Sequence, residues 1–336
     1  PPPPTLAAMR LLVLGGTVFL GRHLVDLALA RGDEVTTFTR GRTGEVPEGA
    51  RALHGDRDGG LDALRSGSWD VVVDTSGYVP RVVGQSAELL RDRIQRYVFI
   101  STASVYDIQQ EDKRETAPTL QLTDSDTEDV GAHYGALKAA CERTVTELYG
   151  DRALLVRSGL IAGPLDPTER VTYWAGRGLR GGEVLGPGLP DREVTFVDVR
   201  DQAGWILEVA PTLGGTFNVG GPSTTFRELL QVAGIDGATW VPDDFLLAEQ
   251  VKPWTDLPLW LPPTSGSLHA PSDRAVAAGL RWRPIADTMR DLRTWVETRT
   301  SVPGPRESGG RRGEPAGIDA DREATLLRRW HERGAA

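Results

Sequence analysis

Tyr134 and Lys138, in the run Tyr-Gly-Ala-Leu-Lys, are a phenol and an amine four residues apart. On a helix that spacing puts both side chains on one face, pointing into one cleft. An ammonium beside a phenol lowers its pKa, so the phenol can exchange a proton with a substrate hydroxyl or carbonyl near neutral pH. Alone, the pair is also what a solvated helix face would carry. A second cluster bears on the choice. Ser101-Thr102-Ala103-Ser104-Val105-Tyr106 follows the apolar run Tyr97–Ile100, and small hydroxyl residues ending a parallel strand lie where open α/β sheets bind ligands. A hydroxyl there can hydrogen-bond a reacting oxygen and hold it beside Tyr134. A Ser/Thr turn capping the strand is the plainer alternative.

The third feature is Gly15-Gly16-Thr17-Val18-Phe19-Leu20-Gly21, between the apolar run Leu11–Leu14 and a helical stretch, Leu20–Ala30. Strand, glycine turn and helix together form the context in which a dinucleotide binds. Glycines let the backbone turn sharply and approach a pyrophosphate, whose charge meets the free N–H groups of the helix start. In a Gly-x-x-Gly-x-x-Gly reading the central position is Val18, whose branched side chain stands where phosphates usually come close. An ordinary strand-to-helix turn is the other reading.

Short apolar runs and helical segments alternate around these residues. Strands are expected at Arg10–Leu14, Glu34–Thr39, Ala50–His54, Asp70–Asp74, Tyr97–Ser101 and Ala153–Arg157. Helices are expected at Leu20–Arg31, Gly84–Arg93 and Ala132–Tyr149. Strands this apolar, separated by helices, imply a parallel sheet covered on both faces. From Gly159 the chain turns rich in Gly and Pro. Strands at Val194–Val199 and Thr216–Val219 then flank a helix at Asp201–Val209. Further helices are expected at Glu228–Ala233, Asp273–Ala278 and Ile285–Thr298, then a flexible linker at Ser301–Pro315. A charged helix, Asp319–Arg333, should pack through Leu326, Leu327 and Trp330.

Composition narrows the class. Hydrophobic residues make up 39% and charged ones 25%, as in an ordinary soluble globular protein. Net charge is −9, which argues against a nucleic-acid partner. No apolar stretch approaches the roughly 20 residues that span a bilayer, and Pro1–Ala8 lacks the features of a signal peptide. The five histidines are scattered without metal-ligand spacing, so no metal site is expected. The single cysteine, Cys141, excludes an internal disulfide framework and suits a reducing cytoplasm; burial is its expected place.

Taken together, the chain resembles the extended short-chain dehydrogenase/reductase family, which includes nucleotide-sugar epimerases and dehydratases. The resemblance covers about residues 9–300. It rests on GGTVFLG, Gly55-Asp56, FISTASVY, Tyr134/Lys138, Arg157-Ser-Gly-Leu-Ile-Ala-Gly-Pro164 and Arg192-Glu-Val-Thr-Phe-Val-Asp198-Val-Arg-Asp201. The glycine turn with a non-glycine centre is most similar to an atypical actinobacterial branch of reductases and epimerases. Some plant relatives of that branch associate with RNA, a role the acidic charge here does not support. The resemblance implies a doubly wound (Rossmann) α/β sheet with a smaller C-terminal substrate-binding lobe. The dinucleotide-binding part would span 9–157, completed by about 198–220, with the lobe at 158–197 and 221–300. A linker at 301–318 and a helix at 319–333 would follow.

The resemblance makes Thr102 the catalytic hydroxyl, Tyr134 the acid/base and Lys138 its partner. Lys138 would also meet the nicotinamide ribose, and Asp56 the adenine. Gly15, Thr17, Val18, Phe19, Leu20 and Gly21 would cradle the pyrophosphate, with Asp74 and Ser76 bordering the cofactor. Where NAD-binding relatives carry an acid after the second strand, this chain has Arg40 and Arg42. Two arginines without a carboxylate favour NADP(H) over NAD(H), unless they are simply solvated loop charges. Ser104, Asp166, Arg170, Tyr173 and Trp174 fall where the family builds its substrate pocket, although Tyr173 and Trp174 also suit the core of the small lobe. Trp240, Trp254 and Trp260 read as core or lid. The leading expectation is an NADP(H)-dependent oxidoreductase acting on a ketone or secondary alcohol of a small biosynthetic intermediate. Alternatives are a nucleotide-sugar epimerase with tightly bound NAD(P), and a non-catalytic nucleotide-binding scaffold. Ala103, beside Thr102, lowers the dehydratase reading. The resemblance also implies a homodimer.

Overall fold

The computed structural model describes residues 8–299 and 316–335. The expected linker at 301–315 lies outside the described residues. The chain runs through β1 (Arg10–Leu14), α1 (Phe19–Ala30), β2 (Glu34–Thr39), β3 (Arg51–His54), β4 (Trp69–Asp74), α2 (Pro80–Leu90), β5 (Ile94–Thr102), α3 (Val130–Tyr149) and β6 (Ala153–Ser158). It then leaves the sheet for β7 (Ile161–Ala162), α4 (Arg170–Arg180), β8 (Leu185–Pro187), β9 (Glu193–Thr195) and β10 (Val197–Asp198). It returns with α5 (Val199–Val209) and β11 (Gly215–Val219). The remainder is β12 (Ser223–Thr225), α6 (Phe226–Val232), β13 (Thr239–Val241), α7 (Asp243–Ala248), α8 (Asp273–Ala277), α9 (Ile285–Thr298) and α10 (Ala320–Ala335).

Seven parallel strands form the main sheet, in the order β11-β6-β5-β4-β1-β2-β3. Alternation along each strand explains why apolar residues occupy consecutive positions in its centre. Leu11, Val13, Val71, Val73, Val98, Ile100, Leu154 and Val156 face one helical layer. Leu12, Leu14, Val72, Tyr97, Phe99, Ala153 and Leu155 face the other. Both faces are covered, so neither has a polar register. The order of connection reverses between β1 and β4, which opens a crevice at their C-terminal ends. The turn after β1 and the Asp74–Ser76 segment meet there.

A second core belongs to the smaller lobe, built around Trp174, Phe226, Trp260, Leu292 and Leu326. Trp260 is fully buried, in keeping with the core reading. The charged C-terminal helix α10 docks as expected, with Leu326 and Leu327 buried and Trp330 edge-on to Phe245. Its buried Glu323 pairs with Arg177 of α4 at 2.7 Å. Residues 316–318, expected within the linker, are fastened instead: the Gly317 N–H donates to the Thr255 carbonyl at 2.8 Å.

Several boundaries depart from the sequence reading. Helix α2 starts at Pro80, four residues before the expected Gly84, because proline is preorganised for a first turn and its missing N–H costs nothing there. The single strand expected at Val194–Val199 is two, since β9 pairs with β12 and β10 with β7. Helix α4 was not anticipated, because Gly176, Gly178 and Gly181 suggest a loop. Val171, Trp174 and Ala175 nevertheless give it a buried stripe. A side chain at Gly178 would overlap the Ala233 carbonyl, so that glycine is a packing contact rather than a breaker.

Candidate active site

The turn after β1 needs its glycines. Gly15 and Gly16 take φ of +111° and +100°, a region that favours glycine. A Cβ at Gly15 would overlap the Thr75 hydroxyl, and one at Gly21 would lie 2.7 Å from the Gly16 nitrogen. Val18 sits at the N-cap of α1 with extended backbone and is 40% exposed. No side chain caps α1, and its first turn holds no acid. Uncapped N–H donors beside a glycine cradle fit a pyrophosphate. The β4 end closes the cradle: Thr75 and Ser76 hydroxyls donate to the Leu14 carbonyl at 3.0 and 3.1 Å.

The loop after β2 folds back on this turn, with Gly44 against the Thr17 carbonyl. It carries Arg40 and Arg42, both exposed and without an ion pair among the described residues. Asp56 is exposed at the end of β3 and accepts the Asp58 N–H at 3.1 Å. Asp74, expected at the cofactor's border, is fully buried. Its carboxylate accepts Arg57 at 2.6 and 2.8 Å and the Tyr97 hydroxyl at 2.9 Å. Arg57 was not singled out, and nothing in its sequence context announces a buried partner.

The C-terminal end of β5 and the start of α3 meet at the candidate reaction corner. Thr102 ends β5, 9% exposed, and its hydroxyl oxygen accepts the Ser104 N–H at 3.1 Å. The start of α3 comes so close that a side chain at Gly135 would overlap the Ser104 carbonyl. His133 breaks the helix (φ −127°, ψ 28°) one residue before Tyr134. Tyr134 is half-buried beside this turn. Lys138 does not share its exposure. It is 3% exposed, and its ammonium donates to the carbonyls of Gly77 and Ile100 at 2.7 and 2.6 Å. Burial pushes it down to about 8. The pair thus shares a helix face, as the spacing required, but only the phenol opens to the cleft.

Sequence reasoning missed two neighbours. Tyr78, after β4, has its ring 6.5 Å from that of Tyr134, centroid to centroid. Glu142 lies one further turn along the Tyr134–Lys138 stripe, a spacing that could have found it. It pairs with Arg157 at 2.7 Å, and Arg157 donates to the Tyr106 hydroxyl, also at 2.7 Å. Tyr106 in turn donates to Asn218 at 2.9 Å. This buried network ties α3 to the segment after β5, to β6 and to β11. Cys141 is buried as expected, its thiol pushed up to about 12.

The substrate residues are brought together only in part. Trp174 is a correction: it is fully buried, donates its indole N–H to the Pro258 carbonyl, and packs edge-on to Phe226. Tyr173 packs against Trp174 and under Gly317, so its ring belongs to the lobe as well. Asp166 is 2% exposed and turned back on Thr168, whose N–H and hydroxyl both donate to it at 2.8 Å. Burial lifts its carboxyl to about 6. Ser104 and Arg170 are half-buried, and the Arg170 guanidinium lies 5.3 Å from the Trp254 ring centroid. Arg192 is held by Asp243 at 2.8 and 2.5 Å. No group of His, Cys, Asp and Glu among the described residues could hold a metal, and no helix described is long and apolar enough to cross a membrane.

Residues 11–220 match the NAD dependent epimerase/dehydratase family. The fold is that of UDP-glucose 4-epimerase from Thermus thermophilus, solved with NAD (TM-score 0.64, 23% identity, 87% of this chain and 100% of that one). It is likewise similar to UDP-N-acetylglucosamine 4-epimerase from Methanobrevibacter ruminantium, solved with UDP-N-acetylmuramic acid (TM-score 0.65, 18% identity, 87% and 99%). Over 114 residues the chain is 32% identical to the chloroplast stem-loop binding protein of 41 kDa b from Arabidopsis thaliana. That match spans 29% of this chain and 30% of the relative.

Proposed function

Because the chain belongs to the NAD dependent epimerase/dehydratase family, we propose that this enzyme oxidises a secondary alcohol at the Thr102–Tyr134 corner and returns hydride to the ketone formed, as an epimerase does. The observation that supports this reading is that the end of β5 meets the start of α3, with Gly135 against the Ser104 carbonyl and Lys138 donating to the Ile100 and Gly77 carbonyls. A bound nicotinamide would accept and give back hydride. Gly15, Thr17, Val18, Phe19, Leu20 and Gly21 would hold its pyrophosphate, Asp56 its adenine and Ser76 the neighbouring ribose. Thr102 hydrogen-bonds the substrate oxygen and fixes it near Tyr134, whose phenolate takes the proton from that oxygen and, as the phenol, returns it. Lys138, fixed by two backbone carbonyls, supplies positive charge behind the phenol.

Several solved neighbours hold NAD, one of them with UDP and another with UDP-glucose, which supports a nucleotide-sugar substrate reaching Ser104 and Arg170. A second reading, net ketone reduction with NADPH, is favoured by one feature. Arg40 and Arg42 stand exposed beside the cradle, where a 2′-phosphate would lie. Net charge of −9 speaks against nucleic acid as a ligand.

Parallel fluorescence titrations with NADH and NADPH, and assay of nicotinamide retained through purification, separate these readings. Retained cofactor that turns over without net redox change supports the epimerase. Free exchange with NADPH consumption supports the reductase. Binding of neither dinucleotide overturns both. With a substrate found, Tyr134→Phe should remove nearly all turnover; persistence would remove Tyr134 from the reaction.

A further inference from the structure

Lys138 is enclosed on every side that the structure defines. The Gly77 and Ile100 carbonyls accept from its ammonium. The ring of Phe99 lies beneath it, 4.1 Å to the centroid, and the ring of Tyr78 stands 5.4 Å away. Phe99 is fully buried and forms the floor. Tyr78 is half-buried, and its ring leans toward Tyr134 with the two planes 40° apart. It is therefore the wall between the ammonium and the cleft.

We propose that Tyr78 is a positioning residue of the reaction centre, its ring keeping water off the Lys138 ammonium on the side that faces Tyr134. The proposal rests on the reading of Tyr134 and Lys138 given under Proposed function. A ring in this place acts in two opposed ways. Its π face favours the ammonium, while its bulk removes water and disfavours it. At 5.4 Å the π attraction is weak beside that of Phe99 at 4.1 Å, so water exclusion prevails. The low titration of Lys138, near 8, has the same sign. Charged and titratable groups face Lys138 from other elements too. Glu142 on its own helix and Asp74 on β4 favour its charge, Arg57 opposes it, and the Cys141 thiol nearby stays neutral in this range. Asp74 is held by Arg57 and Glu142 by Arg157. Tyr78 is the partly exposed, uncharged wall of this cage, and so the one to exchange.

The sequence contains three lysines, Lys113, Lys138 and Lys252, so ε-13C-lysine NMR titration of the full chain resolves Lys138, with Lys138→Met giving the assignment. Tyr78→Phe should titrate like the parent. Tyr78→Leu, which keeps bulk without a π face, should titrate at or below it. Tyr78→Ala should rise by about one pH unit or more as water enters. An unmoved midpoint in Tyr78→Ala, or a rise in Tyr78→Phe as large as in Tyr78→Ala, overturns the proposal. The basic limb of the turnover profile should move with the midpoint. A moved midpoint with an unmoved profile overturns the positioning role. Absence of turnover in the parent refutes the proposed function, and the lysine titration still decides whether Tyr78 closes the cage.

Discussion

Replacing Lys138 by Met separates the buried charge from everything else the side chain does. Lys138 falls from an ordinary 10.5 to about 8 in the folded chain, with burial as the largest cause. At about 1.36 kcal/mol per pH unit, the folded state pays roughly 3 kcal/mol at pH 7 to keep that ammonium charged. Between pH 8 and 10.5 the unfolded lysine binds more protons than the folded one, so stability rises with pH and the penalty fades. By pH 9.5 about 1.4 kcal/mol remains, so the parent should gain about 2 kcal/mol relative to Lys138→Met between pH 7 and 9.5. Methionine also orphans the Gly77 and Ile100 carbonyls, at about 1–3 kcal/mol each. That loss does not depend on pH, so the variant's absolute stability at one pH decides nothing. Cys141, pushed up to about 12, titrates above the window and is common to both proteins. The assay is urea unfolding of both proteins at half-unit pH steps. A flat difference across the window would mean that Lys138 titrates as an exposed lysine, and the desolvated cage would be wrong.

Gly15→Ala places a methyl against the Thr75 hydroxyl at φ +111°. Dinucleotide affinity should fall at least tenfold, with stability lower by about 1–3 kcal/mol, as read by titration calorimetry and thermal unfolding. Gly135→Ala pushes α3 off the Ser104 carbonyl. Turnover should drop on the order of a hundredfold while dinucleotide binding survives, since about 1 Å of misplacement suffices; equal losses in both would count against Gly135 setting the reaction corner. Arg40→Asp should weaken NADPH binding about tenfold and spare NADH; equal losses for both dinucleotides would remove the 2′-phosphate argument. Glu142→Leu leaves the Arg157 guanidinium buried without its carboxylate. Stability should fall by about 3–5 kcal/mol in urea unfolding, and a loss under about 1 kcal/mol would show that the network is not what anchors α3.

Much of the sheet was legible because its strands place apolar residues toward both faces. That pattern arises only when both faces are covered, and it located β1, β2, β4, β5 and β6 within a few residues. The glycine turn was legible because Gly15 and Gly16 perform a task that few other residues can. Val18 reads as an obstacle because a pattern gives position and not direction; the structure adds that its backbone is extended and the residue partly exposed. Around α4 the same limit worked in reverse. Gly176 and Gly178 read as breakers until the Ala233 carbonyl showed what one of them must clear. Trp174 read equally as ligand wall or core, because an aromatic residue suits either until its neighbours are known.

What the sequence determined by itself is the set of local commitments: an alternating α/β chain, a glycine turn opening a helix, hydroxyls ending a strand, and a tyrosine and lysine one helical turn apart. Each depends on conformational freedom or on side-chain period, which act over a few residues. Only the tertiary structure decided which of these groups share an environment. Lys138 lies beneath two carbonyls and two rings from separate segments. Asp74 answers to Arg57, and Glu142 to Arg157. Desolvation and pairing are sums over neighbours distant in sequence, and no local pattern encodes them.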